Sequence, residues 1–283
     1  MSVHVFYHSA DLDGHCSGAI CKYAMPEAIL HGINYGDPFP WDEIKQYDWV
    51  YMVDFSLQPF EDMRKLAQIA NLTWIDHHKS AMEEHQANYF DVMGTRQTDK
   101  AACELTWEYF KTDPIPLAVF RLGRYDIWKH QEHEGCLEFQ YGMRMHDTDP
   151  RSFSAMRMWK QLFSHSLTLN KITNEGALLL RYEREQNKKF ADAYAFETEL
   201  DGLKCIAVNK GFTNSLVFES VYDEAKHDAM LSFAYRGGRW TCSLYATKTE
   251  IDVSVICKAR GGGGHKGAAG FQCDTLPFLT GGA

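Results

Sequence analysis

What the chain lacks narrows its class before any motif is read. No apolar run approaches the ~20 residues needed to cross a bilayer, so no membrane span is expected. Residues Met1 to Asp11 hold a short strand-like stretch, Val3 to Tyr7, and then acids, in place of the basic start and long apolar core of an export signal. The eight cysteines, at 16, 21, 103, 136, 205, 242, 257 and 273, form no Cys-x-x-Cys pair. That spacing disfavours a zinc knuckle and a tight disulfide framework, and a reducing cytoplasm fits it best. Positive charge is also short. A net charge of −9 opposes the broad cationic surface that long nucleic acids require. A phosphate-bearing partner is therefore expected to be short, drawn in by metals and by local cations such as Lys79, Arg124, Arg260 and Lys266. No internal repeat is found, and no low-complexity tract beyond one glycine run.

Length and apolar content point the other way, toward well-filled cores. At 283 residues and 45% apolar, two domains are the first expectation. The first half alternates strand-like runs with helical stretches: Val3 to Tyr7, Gly14 to Tyr23, Trp49 to Phe55, Pro59 to Asn71, Leu72 to Ile75. Such alternation marks βαβ units around a parallel sheet, whose ligands bind beyond the carboxyl ends of the strands. From Lys100 to Phe163 the pattern turns helical, with Ala101, Leu105, Trp107 and Phe110 as a buried face and Asp113-Pro114-Ile115-Pro116 as a break. A long helix is expected from Ile172 to Phe196. After it Leu203 to Val208, Met230 to Tyr235 and Trp240 to Ala246 read as strands, with a hairpin at Arg236-Gly237-Gly238-Arg239. The expected α/β organisation is thus a parallel-sheet domain over 1–168, a helical linker over 169–198 and a smaller α+β domain over 199–283. At the end of that last range, Gly281-Gly282-Ala283 reads as a tether.

Charged residues cluster at the strand ends. Asp11-Leu12-Asp13-Gly14 follows the first strand, Asp54 the second and Asp76-His77-His78 the third. Each alone has a plain explanation: a solvated turn or helix cap for Asp11 and Asp13, a surface histidine for His77 or His78. Core packing does not produce all three, because it disfavours charge at the ends of apolar strands. Carboxylates and imidazoles are the groups that hold a pair of divalent metals. Here they would come from His8, Asp11, Asp13, Asp54, His77 and Asp126. Histidine in the set favours manganese over magnesium, which prefers oxygen. A second feature is Gly261-Gly262-Gly263-Gly264-His265-Lys266, whose bare backbone N–H groups suit a phosphate. Arg260, His265 and Lys266 add donors to it.

Taken together, these residues resemble the DHH phosphoesterase superfamily, named for the triplet that stands here as Asp76-His77-His78. The resemblance covers nearly the whole chain, since the run from Gly261 to Gly270 is similar to the signature of the DHH-associated C-terminal domain. It implies a metal-dependent phosphoric diester hydrolase, with helices on both faces of its N-terminal sheet. It implies that His8, Asp11 and Asp54 hold one cation and that Asp13, Asp54, His77 and Asp126 hold the other, Asp54 bridging. His78 is implied to lie beside the metals, contacting substrate or orienting ligands. Asp126, within Arg124-Tyr125-Asp126-Ile127-Trp128, matches the fourth acidic motif; its alternative is a surface acid paired with Arg124. Two residues separate His8 from Asp11, one of several spacings in the family.

The expected activity is hydrolysis of very short oligoribonucleotides or linear dinucleotides such as pGpG to mononucleotides. The second domain would hold the other end of the substrate through Arg260, Gly262, Gly263, Gly264, His265 and Lys266. Trp41, Tyr125, Trp128 and Tyr141 are candidates for stacking on bases, each with simple packing as its alternative. Two other readings stay open: a phosphatase of small nucleotides such as 3′,5′-adenosine bisphosphate, and a non-catalytic nucleotide-binding regulator. Long nucleic acid and membrane are not expected partners; a homodimer is compatible with the sequence.

Overall fold

A computed structural model describes residues 1–111, 113–164 and 166–279. The tether expected at Gly281-Gly282-Ala283 lies outside the described residues. The chain divides into two compact units, Met1–Leu180 and Arg181–Ala283. Among the described residues no helix is long and apolar enough to cross a membrane.

The first unit runs β1 (Val3–His8), α1 (Leu12–Ala24), β2 (Ile29–Ile33), β3 (Trp49–Val53), α2 (Glu61–Ile69), β4 (Asn71–Ile75), α3 (Lys79–Ala87), α4 (Ala102–Phe110), α5 (Leu117–Asp126), α6 (Cys136–Met143), α7 (Phe153–Ser164) and the first half of α8 (Ser166–Tyr194), whose second half, from Arg181, belongs to the second unit. Its four strands are parallel, in the order β2-β1-β3-β4. Successive side chains along a strand face opposite sides, and here both sides are apolar. Phe6, Val50, Met52, Leu72 and Trp74 pack with Met63 and Leu66 of α2 and Ala81 of α3. Val5, Tyr7, Val53 and Ile75 pack on the other face with Cys21 of α1 and Leu105 of α4. The strands therefore read as continuous apolar runs, as expected of a parallel sheet covered on both faces. Helix α1 also serves a third core with α4, α5 and α7, around Leu122, Phe139 and Trp159. Two faces to bury explain why most of its residues are buried.

The second unit holds β5 (Phe196–Leu200), β6 (Leu203–Asn209), β7 (Ala229–Arg236), β8 (Arg239–Tyr245), α9 (Val253–Ala259), β9 (Gly263–His265) and β10 (Ala268–Cys273). Its mixed sheet has the order β5-β6-β7-β8-β10-β9, with β6 and β7 parallel and the other pairs antiparallel. The core sets Leu231, Phe233, Leu244 and Phe271 against Val253 and Cys257 of α9. Gly237 and Gly238, with φ of 60° and 89°, close the β7–β8 hairpin in the left-handed region that its turn demands.

Several elements differ from expectation. Strand β2 was not foreseen: Ile29-Leu30-His31-Gly32-Ile33 is short, interrupted by a polar residue and a glycine, and sits half-exposed at the sheet edge. The long helix begins at Ser166, ahead of Ile172, and stops at Tyr194, short of Phe196, because Phe196-Glu197-Thr198-Glu199-Leu200 alternates with period two and pairs with β6.

Candidate functional site

In a parallel sheet the carboxyl ends of the strands share one edge, and the charged motifs gather there. Strand β1 ends on His8. Asp11 then caps α1, its Oδ1 accepting the Gly14 N–H at 2.9 Å, which leaves Oδ2 turned back to lie 2.9 Å from His8 Nδ1. The chain is tight at this point: a Cβ at Gly14 would fall 1.9 Å from the His8 carbonyl oxygen. Asp13 faces inward. Its carboxylate accepts the N–H groups of Ala102 at 2.8 Å and Cys103 at 2.7 Å, buried donors at the start of α4 that have no partner within the helix. Asp54 leaves β3 with φ of 55°, a sparsely populated conformation for a residue other than glycine, and its amide donates to the Ile75 carbonyl at 3.0 Å. Asp126 is the last residue of α5.

Asp54 stands at the centre. Its Oδ2 lies 3.9 Å from His8 Nδ1, while Oδ1 lies 3.4 Å from His77 Nε2 and 3.9 Å from His78 Nδ1. His77 Nε2 is also 3.7 Å from Asp13 Oδ2 and 3.3 Å from Asp126 Oδ2. Two sets of donor atoms, His8, Asp11 and Asp54 on one side and Asp13, His77 and Asp126 on the other, are each mutually within 4.8 Å; Asp54, His77 and His78 form a third.

Whether these groups suit metal ions can be judged from their unmet bonding. Both carboxylate oxygens of Asp54, a residue only 1% exposed, are buried with no hydrogen-bond partner. Buried polar atoms are rarely left bare, and an uncompensated buried charge is among the costliest features a fold can carry. Divalent cations would satisfy these atoms and neutralise the crowded carboxylates. The donor set, oxygen with imidazole, fits them. The same crowding shows in the acidities. Burial, then the charges of Asp13, Asp11, Asp126 and Asp76, hold the Asp54 carboxyl well above its usual range. Burial, then Asp13 and Asp11, do the same to Asp126. Burial pushes His77 down, which keeps its imidazole neutral and its lone pair available.

Asp76 is oriented differently. Its Oδ1 accepts the N–H of His77 at 2.7 Å and of His78 at 3.1 Å, and meets His78 Nδ1 at 2.7 Å; its Oδ2 accepts from Trp74 Nε1 at 3.1 Å. Burial opposes charge on His78, but the hydrogen bond and charge of Asp76 outweigh it and raise the imidazole to about 9. His78 is therefore a cation at neutral pH, held beside Asp54 by a carboxylate that is itself fully engaged.

The structure brings His8, Asp11, Asp13, Asp54, His77, His78 and Asp126 together. Other expectations need correction. Arg124 does not pair with Asp126; its guanidinium bonds Glu104, whose carboxylate also accepts the Ala101 N–H at 3.2 Å. Arg124 is thus neutralised, and Lys79 sits 3.6 Å from Glu83. Tyr141 is buried under the Arg144 guanidinium, 4.5 Å from its ring centroid, so it packs and offers no face to a base. Trp41 packs on Phe39 with Lys65 Nζ 3.7 Å over its ring, and Tyr125 takes the Arg144 guanidinium on its hydroxyl at 3.2 Å. Trp128 is half-exposed with φ of 62°.

The glycine run, in the second unit, is not a nest of four convergent N–H groups. The amides of Gly261 and Gly262 are spent on the carbonyls of Lys258 and Cys257, at the end of α9. Gly263, Gly264 and His265 form β9 against β10. The glycines are needed for close approach: a Cβ at Gly262 would lie 2.0 Å from the Gly270 carbonyl oxygen, and one at Gly264 2.5 Å from Ala269 Cα. Arg260 is paired with Asp201 at 2.6 Å. His265 and Lys266 are exposed on the edge hairpin.

Comparison with known proteins agrees with this architecture. The DHH domain of a member of the s1p family of ribosomal proteins superposes with a TM-score of 0.59 at 15% identity, over 95% of this chain and 82% of that one. A pGpG-specific phosphodiesterase from Vibrio cholerae gives 0.54 at 13% identity, over 96% and 92%. An exopolyphosphatase-related protein from Bacteroides fragilis gives 0.52 at 14%, over 97% and 87%. The chain has the DHH-type fold. An uncharacterized protein of Acanthamoeba polyphaga mimivirus is 25% identical over 250 residues, which are 81% of this chain and 55% of the viral protein. The chain spans about half the length of that curated relative. No protein-family model matches.

Proposed function

We propose that the protein is a metal-dependent phosphoesterase that hydrolyses very short oligoribonucleotides or linear dinucleotides to mononucleotides. The observation that carries this is Asp54: a buried carboxylate with two bare oxygens, each turned to a different set of acids and imidazoles. His8, Asp11 and Asp54 hold one divalent cation, and Asp13, Asp54, His77 and Asp126 the other; manganese suits the histidines better than magnesium. Bound there, such cations supply a water acidified toward neutrality and stabilise charge on phosphoryl oxygens.

The side chains of the chain itself do the positioning. The α4 amides fix Asp13, so its orientation is set before substrate arrives. His78, charged at neutral pH, donates toward a phosphoryl oxygen while Asp76 holds its ring. His265 and Lys266 are the donors of the second unit suited to a further phosphate. The pGpG-specific enzyme among the structural neighbours, matched over most of both chains, supports a dinucleotide-sized substrate. Chromatography of a linear dinucleotide and of 3′,5′-adenosine bisphosphate after incubation with manganese tests this. Consumption of the dinucleotide is expected. Consumption of the bisphosphate alone would make the protein a nucleotide phosphatase, and metal binding without turnover of any ester would make it a regulator.

A further inference from the structure

We propose that the cavity beside His8 is a nucleobase pocket in which Tyr35 is the stacking platform and Asp37 and Asp62 accept the donors of a guanine edge. The proposal rests on the phosphoesterase reading and names the part of the substrate that its metals do not touch. The cavity measures about 210 Å³ and is lined by Asn34, Tyr35, Asp37, Phe55, Gln58 and Asp62 among others. It adjoins the candidate centre directly. Phe55 follows Asp54 in the chain, and the Tyr35 ring centroid lies 4.6 Å from that of Phe55 and 5.8 Å from that of His8.

Three observations select the occupant. First, Tyr35 is 48% exposed while Phe55 beneath it is buried, so the tyrosine rests on an aromatic floor and keeps much of its surface open. Aromatic rings so placed stack on bases. Second, the lining carries two carboxylates and no lysine or arginine. It repels phosphate and favours a neutral group rich in donors. Third, the polar groups are ordered: Asp37 Oδ2 accepts the Asn34 N–H at 2.9 Å, and Asn34 Oδ1 lies 3.1 Å from the Ser9 hydroxyl that donates to it. Guanine places an N1–H and a 2-amino group side by side, which match the paired acceptors of a carboxylate. Adenine, cytosine and uracil offer no such pair. The volume, below the ~300–1,000 Å³ of drug-sized sites, suits one base.

The test compares wild-type, Tyr35→Ala, Tyr35→Phe and Asp62→Asn proteins in two assays. One is manganese-dependent kcat/KM on GpG against the same backbone lacking either base. The other is calorimetric binding of guanosine monophosphate against ribose 5-phosphate. The wild type is expected to favour GpG over one abasic backbone by roughly tenfold or more. That ratio should collapse toward one in Tyr35→Ala, mainly through KM, and return in Tyr35→Phe. Asp62→Asn should narrow the preference for GpG over ApA. Equal losses on base-bearing and abasic substrates would overturn the pocket, as would a ratio that Tyr35→Ala leaves intact. If the wild type hydrolyses nothing, the phosphoesterase reading falls and the binding assay decides the pocket alone. Guanosine monophosphate bound more tightly than ribose 5-phosphate, and more weakly after Tyr35→Ala, then sustains it; no such difference overturns it.

Discussion

Asp54 and Asp76 lie within one cluster yet have opposite electrostatic roles. Asp54 has bare oxygens and four acidic neighbours, so without metal it destabilises the fold when charged. Its pKa in the folded state is raised above the ordinary 3.8, so its favourable contribution is present below that value and is lost as pH rises through the folded value. Asp54→Asn removes the repulsion. In chelator, the variant is expected to melt higher than wild type near neutral pH, with the advantage fading below roughly pH 4. In manganese the order should reverse, because only the wild type gains binding energy. Thermal melts with and without chelator read both signs, and a variant less stable than wild type in chelator would contradict the unpartnered charge. Asp76 is satisfied on every side. The His78 value is raised from 6.5 to about 9, so the stability from their pairing is complete below 6.5 and is lost as pH rises through about 9. Asp76→Asn is expected to destabilise strongly near pH 6 and less so near pH 10, by about 2 kcal/mol of difference. In Asp76→Asn the His78 imidazole should also titrate well below the wild-type value of about 9, as nuclear magnetic resonance would show.

At the scale of elements, the site was legible where charge interrupts an apolar strand. Asp11, Asp54 and Asp76-His77-His78 each follow a run that is buried on both faces, so their polarity stands out. What sequence does not show is contact between distant segments. The bonds from Asp13 to Ala102 and Cys103 join residues 89 and 90 apart, and the Glu104–Arg124 pair, 20 residues apart, similarly depends on how α4 meets α5. Tyr35 follows an edge strand too weakly patterned to be recognised, so its place beside His8 gave no local signal. The glycine run misled for a related reason: its missing side chains serve the approach to β10, which composition alone does not distinguish from anion binding. A sharper case of close approach is Gly176 in α8, where a Cβ would lie 1.7 Å from the Glu138 carbonyl oxygen of α6. Alanine in an open helix position stabilises by ~1 kcal/mol over glycine. Gly176→Ala should instead cost about 2 kcal/mol or more, since backbone must shift. Urea denaturation measures it, and an unchanged or raised midpoint would refute the tight α6–α8 packing.

For the whole molecule, composition and local architecture point the same way. The chain is acidic, its site is more acidic still, and the cations of the first unit considered as phosphate attractors, Lys79 and Arg124, are paired with glutamates. On the proposed reading, attraction for a phosphodiester would come from bound metal, from His78 and from the second unit's His265 and Lys266, an arrangement suited to a small ligand rather than a long polyanion. The most direct test is hydrolysis of oligoribonucleotides from two to about ten residues long, with manganese or with chelator, by wild-type and Asp54→Ala proteins, resolved by chromatography. Dinucleotides should be consumed fastest, rates should fall with length, and either chelation or Asp54→Ala should reduce turnover by roughly a hundredfold or more. Turnover that survives both chelator and Asp54→Ala would contradict the metal centre outright.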